Sequence, residues 1–373
     1  MEIYFILLIL FGTEVLIRYG VKTKKINVML FDECIFSDSM VKMYEKIILV
    51  FDFILLFVLA VCRDVNVGSD YVTYMTIFSG MTGGTLADVS KSYFWADGEI
   101  GFALIGTLIG TILDDPIWIV CVFYLIVLGG VYRFIKKHSR NVLLSTFLFL
   151  TLSFYNMSYN VLRQYLAAVI LLKAIDYINK DFKRFVLVVV LAATFHKTAL
   201  IFLLVYPVLT YAKDIKVTSL MFLLIMGGAA LFAEYIFVYL GEVLSYTSYI
   251  NDNQSGGMMN AVVMATIFAL FFVFAKKLEH NDAFGRVWIG LAVVAFSISM
   301  FSIQIHPFNR LLLYFIMPAI VSIANFVNIV LVPSSVKYGE LFVIMLLGGY
   351  YSYLLLNTSV YQTIPYTSRF LGI

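Results

Sequence analysis

Four short stretches carry the side chains able to do polar chemistry in an otherwise oily chain. The first is Arg63-Asp64-Val65-Asn66-Val67-Gly68-Ser69-Asp70-Tyr71, followed by Tyr74 and Phe78. The second runs from Asn156 to Gln164 and contains Asn160 and Arg163; in a helix starting near Asn156, these four polar residues fall within about 100° of arc. The third is His196-Lys197, and the fourth is Gln304-Ile305-His306-Pro307-Phe308-Asn309-Arg310, with Tyr314 one turn further on. Arginine offers a planar fork that fits phosphate oxygens, and Asp70 or His196 can accept a proton. Tyr71, Tyr74 and Trp95 suit the apolar faces of sugars and headgroups. The ligand these residue types fit is anionic and phosphorylated.

Each cluster also has a plainer reading. Tyr and Arg are enriched at membrane interfaces in any case. Arg163 can snorkel beside amides that join helices, a lone histidine is commonly a hydrogen-bonded structural residue, and Pro307 marks a turn. The argument for chemistry is that all four stretches reach one membrane face once the chain is threaded.

Apolar residues make up 62% of the 373 residues and charged residues 13%. A soluble domain of this size carries about a quarter charged residues, so this chain lacks the charges to cover itself in water. Apolar runs expected to span lie at 3–17, 46–62, 116–134, 141–156, 158–179, 184–195, 197–211, 218–240, 259–276, 284–304, 309–331 and 339–357. The expected fold is all-α: a single polytopic membrane domain, 1–373, with about 12 transmembrane helices and an outer-face amphipathic helix at 99–113. The runs 184–195 and 197–211 are short and read as tilted or as a broken pair.

Placing 99–113 on the surface puts 20 of the 26 Lys and Arg residues on one side, in 18–46, 132–140, 173–186, 211–216, 276–286 and 332–338. The positive-inside rule assigns that side, with loop 18–45, to the cytoplasm. Both termini and the loops 63–98 and 241–258 then lie outside, with Arg63, Arg163 and Arg310.

Cys34, Cys62 and Cys121 supply neither a disulfide framework nor a zinc spacing. The four histidines form no metal motif, and no metal or other cofactor is expected. The segment MEIYFILLIL reaches its first basic residue, Arg18, only after the apolar run, so it reads as a retained span. A net charge of +3 gives no footing for nucleic acid.

The chain resembles the EpsG/Wzy-type family of bacterial surface polysaccharide polymerases. The residues that carry the resemblance are RDVNVGSDYVTY (63–74), NVLRQYLAA (160–168), TFHKTAL (194–200) and NRLLLYF (309–315), in a consistent order. DGEIGFALI (97–105) is similar to the acid-aromatic helix that follows the family's first motif, and Ser69 stands where the family often has Thr. The resemblance implies polymerisation of oligosaccharide repeat units carried on undecaprenyl diphosphate in the bacterial cytoplasmic membrane. It also implies a flippase and a chain-length regulator as partners in the pathway.

On that reading Arg63, Arg163 and Arg310 neutralise the diphosphate, with Asp70 as general base and His196 second. Tyr71, Tyr74, Asn156, Asn160, Gln164, His306 and Tyr314 bind substrate. The competing expectations are a lipid-linked oligosaccharide flippase or transporter, which needs polar groups through the membrane depth, and an outer-face ligase or acyltransferase.

Overall fold

The computed structural model describes residues 1–23, 38–211, 213–232, 235, 257–305 and 308–373. Every regular element among them is helical, and none is a strand. Much of expected loop 18–45, most of 241–258, and His306 lie outside the described residues.

The chain divides into two compact units, Met1–Val169 with Thr194–His196 and Ile323–Ile373, and Ile170–Ala193 with Lys197–Ser322. The elements are α1 (Glu2–Thr23), α2 (Asp38–Val61), α3 (Tyr71–Ser79), α4 (Tyr93–Ala96), α5 (Ile100–Leu113), α6 (Pro116–His138), α7 (Val142–Thr151), α8 (Phe154–Met157), α9 (Leu162–Ala174), α10 (Phe182–Ala193), a 3₁₀ stretch Lys197–Leu204, α11 (Val205–Thr210) and α12 (Ile215–Leu231). They continue with α13 (Gly257–Val273), α14 (Ala275–Asn281), α15 (Gly285–Gln304), α16 (Phe308–Ile316), α17 (Ala319–Val330) and α18 (Pro333–Asn357).

In the first unit, α1, α2 and α7 pack on one another, with α6 against α2 and α18 against α1 and α7. Tyr4, Leu7, Phe11 and Val15 mark the buried side of α1, whereas Ile6, Ile9, Leu16 and Ile17 stay exposed. α18 likewise exposes Phe342, Met345, Leu346 and Tyr353. Apolar side chains on both faces are what a helix needs when its outer solvent is hydrocarbon.

Polar groups knit the lysine-rich end of this unit. Glu340, fully buried, accepts from the side-chain amides of Asn141 (2.8 Å) and Asn328 (2.7 Å). Asn325 Nδ2 donates to the His138 carbonyl and its Oδ1 accepts from the Arg140 N–H.

In the second unit, α15 is the central element, packed by α11, α12, α13, α14 and α16. Among the described residues, three helices are long and apolar enough to cross a membrane: α6, α15 and α18. Two further pairs pass together but are bent, α13–α14 by 69° and α16–α17 by 48°. The latter break falls at Met317-Pro318, where proline removes a donor and crowds the preceding turn.

α5 spans 14 residues within expected segment 99–113, but its two faces differ from an amphipathic helix. Phe102, Ala103, Gly106, Thr107 and Gly110 are buried, and the exposed residues Ile100, Leu104, Leu108, Ile112 and Leu113 are apolar too. Its outward face therefore suits lipid or an apolar partner and gives no polar side to water.

Candidate functional site

The site in the first unit is built around two arginines. Arg63 lies just beyond α2 and is 5% exposed. Its guanidinium carbon stands 4.0 Å from the ring centre of Tyr71, 4.3 Å from Tyr159 and 4.9 Å from Tyr124. Nε donates to the Val67 carbonyl at 3.2 Å, and Nη1 to the Ala60 carbonyl.

The cage is itself anchored. Tyr124 donates to Ser158 O, Tyr159 to the Tyr155 hydroxyl, and Tyr155 to Leu56 O. The turn depends on Gly68, whose φ is +98° and whose missing side chain leaves room for Asn160; a Cβ there would meet Asn160 Oδ1 at 2.7 Å. Asp70, part-exposed at the start of α3, accepts from Ser69 Oγ at 2.9 Å.

The amide stripe expected from Asn156 to Gln164 does not form as one helix. α8 ends at Met157, a turn follows, and α9 begins at Leu162. Ser153, in the left-handed region at φ 60°, starts this broken stretch. Asn156 is fully buried, donates to Thr363 Oγ1 at 2.8 Å and accepts from the Tyr351 hydroxyl at 2.7 Å. Asn160 donates to the Tyr361 carbonyl at 2.6 Å, and Gln164 is buried.

These amides face the segment after α18, which also pairs with the Arg63 loop. Asp64 N–H donates to Thr367 O, Gly68 N–H to Gln362 O, and Ser368 Oγ to Cys62 O. Asp64 returns the contact by accepting from the Arg369 N–H at 3.0 Å.

Arg163 sits in the first turn of α9 with its side chain 28% exposed. Its Nη1 donates to Glu99 Oε2, and its guanidinium carbon lies 5.1 Å from the Phe94 ring centre. The other Glu99 oxygen stands 2.5 Å from His196 Nδ1. The Glu99 carboxylate is 1% exposed, against 23% for the His196 side chain.

Tyr74, buried on α3, has its hydroxyl within 3.4 Å of the Arg163 N–H. Asp70 acts electrostatically on the same phenol. A connected series therefore runs Asp70, Tyr74, Arg163, Glu99, His196.

The local sequence explains how Glu99 reaches both partners. It precedes α5, whose first N–H groups, at Gly101 and Phe102, donate to the Thr194 carbonyl. Gly101 permits this approach, since a Cβ there would strike the Thr194 hydroxyl and the Phe195 ring. Phe78, Phe94, Phe102 and Phe123 pack beneath as an aromatic cluster.

Burial works against charge on Glu99, but the hydrogen bond and charge of His196 and the charge of Arg163 outweigh it. They hold this carboxyl below its ordinary value. A carboxylate has no hydrogen to give, so Nδ1 of His196 must carry one. In the neutral ring, Nε2 is then left as an acceptor.

In the second unit, Arg310 lies exposed in the first turn of α16, and Asn309 accepts from the Asn260 amide at 3.1 Å. Tyr314 is 1% exposed, with its hydroxyl 2.8 Å from Thr198 Oγ1. Trp95, on α4, is exposed.

The residue that sequence reasoning left out of the site is Glu99. The signal for it was there: an acid directly ahead of a Gly-rich apolar helix that carries no charge of its own.

The apolar outward faces, the all-helical architecture and this polar array define an integral membrane protein with a built site for charged chemistry. The chain belongs to the EpsG family, a Wzy-type polysaccharide polymerase family, whose model matches residues 46–368 and so takes in all four polar stretches. No curated protein and no solved structure matches the chain.

Proposed function

We propose that this protein joins oligosaccharide repeat units carried on undecaprenyl diphosphate into a surface polysaccharide, at the outer face of the bacterial cytoplasmic membrane. The observation that carries the reading is the buried Glu99 carboxylate, which bridges Arg163 and His196.

In the reaction, a sugar hydroxyl of one unit attacks the anomeric carbon of the other. The C–O bond to the lipid diphosphate breaks, and the hydroxyl proton leaves. His196 Nε2 takes that proton, with Glu99 fixing the ring through Nδ1 and stabilising the imidazolium that forms. Arg163 keeps N–H groups beyond the one committed to Glu99, and these meet the departing diphosphate.

On this geometry the proton acceptor is His196 rather than Asp70. Asp70 biases Tyr74, which touches the Arg163 backbone. Arg63, spent on tyrosine rings and carbonyls, supports the loop that presents Asp70 and Tyr71. Asn156 and Asn160 hold the segment after α18 in place. Arg310 is assigned to lipid-borne phosphate on α16, and His306 stays a proposed substrate contact. On the twelve-span threading expected from the sequence, with lysine-rich loops inside, the Arg163 array belongs to the outer leaflet, and this supports the reading. A flippase and a chain-length regulator are the proposed pathway partners.

The test is the polymer profile, resolved by chain length, of a deletion strain complemented with His196→Ala, Glu99→Gln or Arg163→Ala at matched membrane levels. Single repeat units on the surface in place of long chains fit a polymerase that has lost its chemistry. Full-length polymer from Arg163→Ala or His196→Ala defeats the assignment. Lipid-linked units stranded on the cytoplasmic side indicate a flippase instead.

A further inference from the structure

The first unit contains a second set of ionisable groups that the reaction does not use. Glu14 on α1 and Asp52 on α2 are 6% and 0% exposed, and their carboxyls lie within hydrogen-bonding reach of each other where the two helices pack. Among the described residues, no N–H or O–H group reaches either oxygen of Asp52. The polar group that does reach it, the Glu14 carboxylate, is an acceptor like itself.

Among the described residues, the surroundings supply no cation to resolve this. Tyr44, half-buried on α2, is the other titratable group that interacts with both carboxyls. The Arg18–Glu45 ion pair joins the same two helices, but Arg18 is spent on Glu45 and the Arg140 carbonyl. α7 packs on both helices and brings only hydroxyls, of which Thr146 and Thr151 bond within their own helix and Ser145 pairs with Ser139. From α6, Lys136 lies over the Tyr132 ring. From α18, Glu340 is taken up by two amides.

We propose that Glu14 and Asp52 form a proton-binding site: one exchangeable proton sits between the two carboxyls, O–H of one donating to the carboxylate of the other. Two bare carboxylates at this depth would repel each other without solvent to separate them, and a single shared proton supplies the donor both lack. The pair then carries one negative charge in place of two. The packing of α1 on α2 depends on keeping that proton.

The test uses the full-length protein in lipid nanodiscs, treated with dicyclohexylcarbodiimide, which adds to protonated carboxyls in apolar surroundings. Adducts are mapped by mass spectrometry across a pH series, in sodium and in choline salts. The expected result is one adduct per chain on Glu14 or Asp52, falling roughly tenfold per pH unit above its midpoint and indifferent to sodium.

The wild-type measurement needs no variant to fold. Asp52→Asn, whose amide can donate to Glu14, should retain membrane insertion and lose the adduct. Absence of any adduct on either residue overturns the proposal. So does protection by sodium, which would make the occupant a metal cation. Polymer assays do not enter the readout, so failure here is separable from failure of the polymerase reading.

Discussion

Two arginines in one unit, each set among aromatic rings, have opposite surroundings. Arg63 is nearly sealed, faced by three tyrosine rings and bonded to main-chain carbonyls. Arg163 is part-exposed and bonded to a buried carboxylate that also holds a histidine. A guanidinium can be sheltered by π faces and carbonyls at a position where nothing is asked of it except to stay. The Arg163 arrangement instead keeps a donor surface open and couples it to a group able to move a proton. Both residues come from equally plausible stretches of sequence, and the difference lies in what the fold brings to them from far along the chain.

The sharpest way to break the comparison is at Glu99. Glu99→Gln should lower polymer yield by roughly 100-fold or more, because the amide no longer holds His196 and Arg163 with charge. Its membrane level should stay near wild type. The same yield loss from Arg63→Ala without a loss of stability would erase the distinction between the two arginines.

Arg63→Ala should act on the fold first. It empties a buried cage and strands the Val67 and Ala60 carbonyls, costing about 3 kcal/mol. That should appear as a lower melting temperature in detergent. Gly68→Ala comes next, at about 1–3 kcal/mol, since φ is +98° and a Cβ would press on Asn160. Ser69→Ala, which removes one exposed hydrogen bond to Asp70, should change stability by less than about 0.5 kcal/mol.

A pH series sharpens the contrast further. The Glu99 carboxyl is held below its ordinary value of 4.5. Its contribution is thus fully present above the unfolded value and is lost as pH falls through the lower folded one. Wild type should show an acid-side loss of melting temperature below about pH 4.5 that Glu99→Gln lacks. Identical acid limbs would show that the carboxylate contributes nothing.

Much of the helical framework was legible in the sequence. Run 116–134 lies inside α6, 284–304 coincides with α15 to within a residue, and 339–357 falls within α18, because long apolar runs fix their own helices. The short runs 184–195 and 197–211 proved to be separate short elements, with His196 at the break.

What was not legible came from contacts distant in sequence. Glu99 meets Arg163 across 64 residues and His196 across 97, and no local pattern encodes that meeting. Asn156 and Asn160 likewise donate to a hydroxyl and a carbonyl some 200 residues later, contacts that no local pattern shows. The expected runs 141–156 and 158–179 divide at Met157, but the polar stripe reads as one helix from Asn156 because the turn that interrupts it, Ser158 to Val161, includes no proline or glycine.

The segment after α18 has a consequence for biosynthesis. The loop at Arg63 is synthesised some three hundred residues before its backbone partners at Gln362 and Thr367. Until then the Arg63 loop lacks those partners. A nascent chain is therefore kept from completing this region until residues 362–367 have been made.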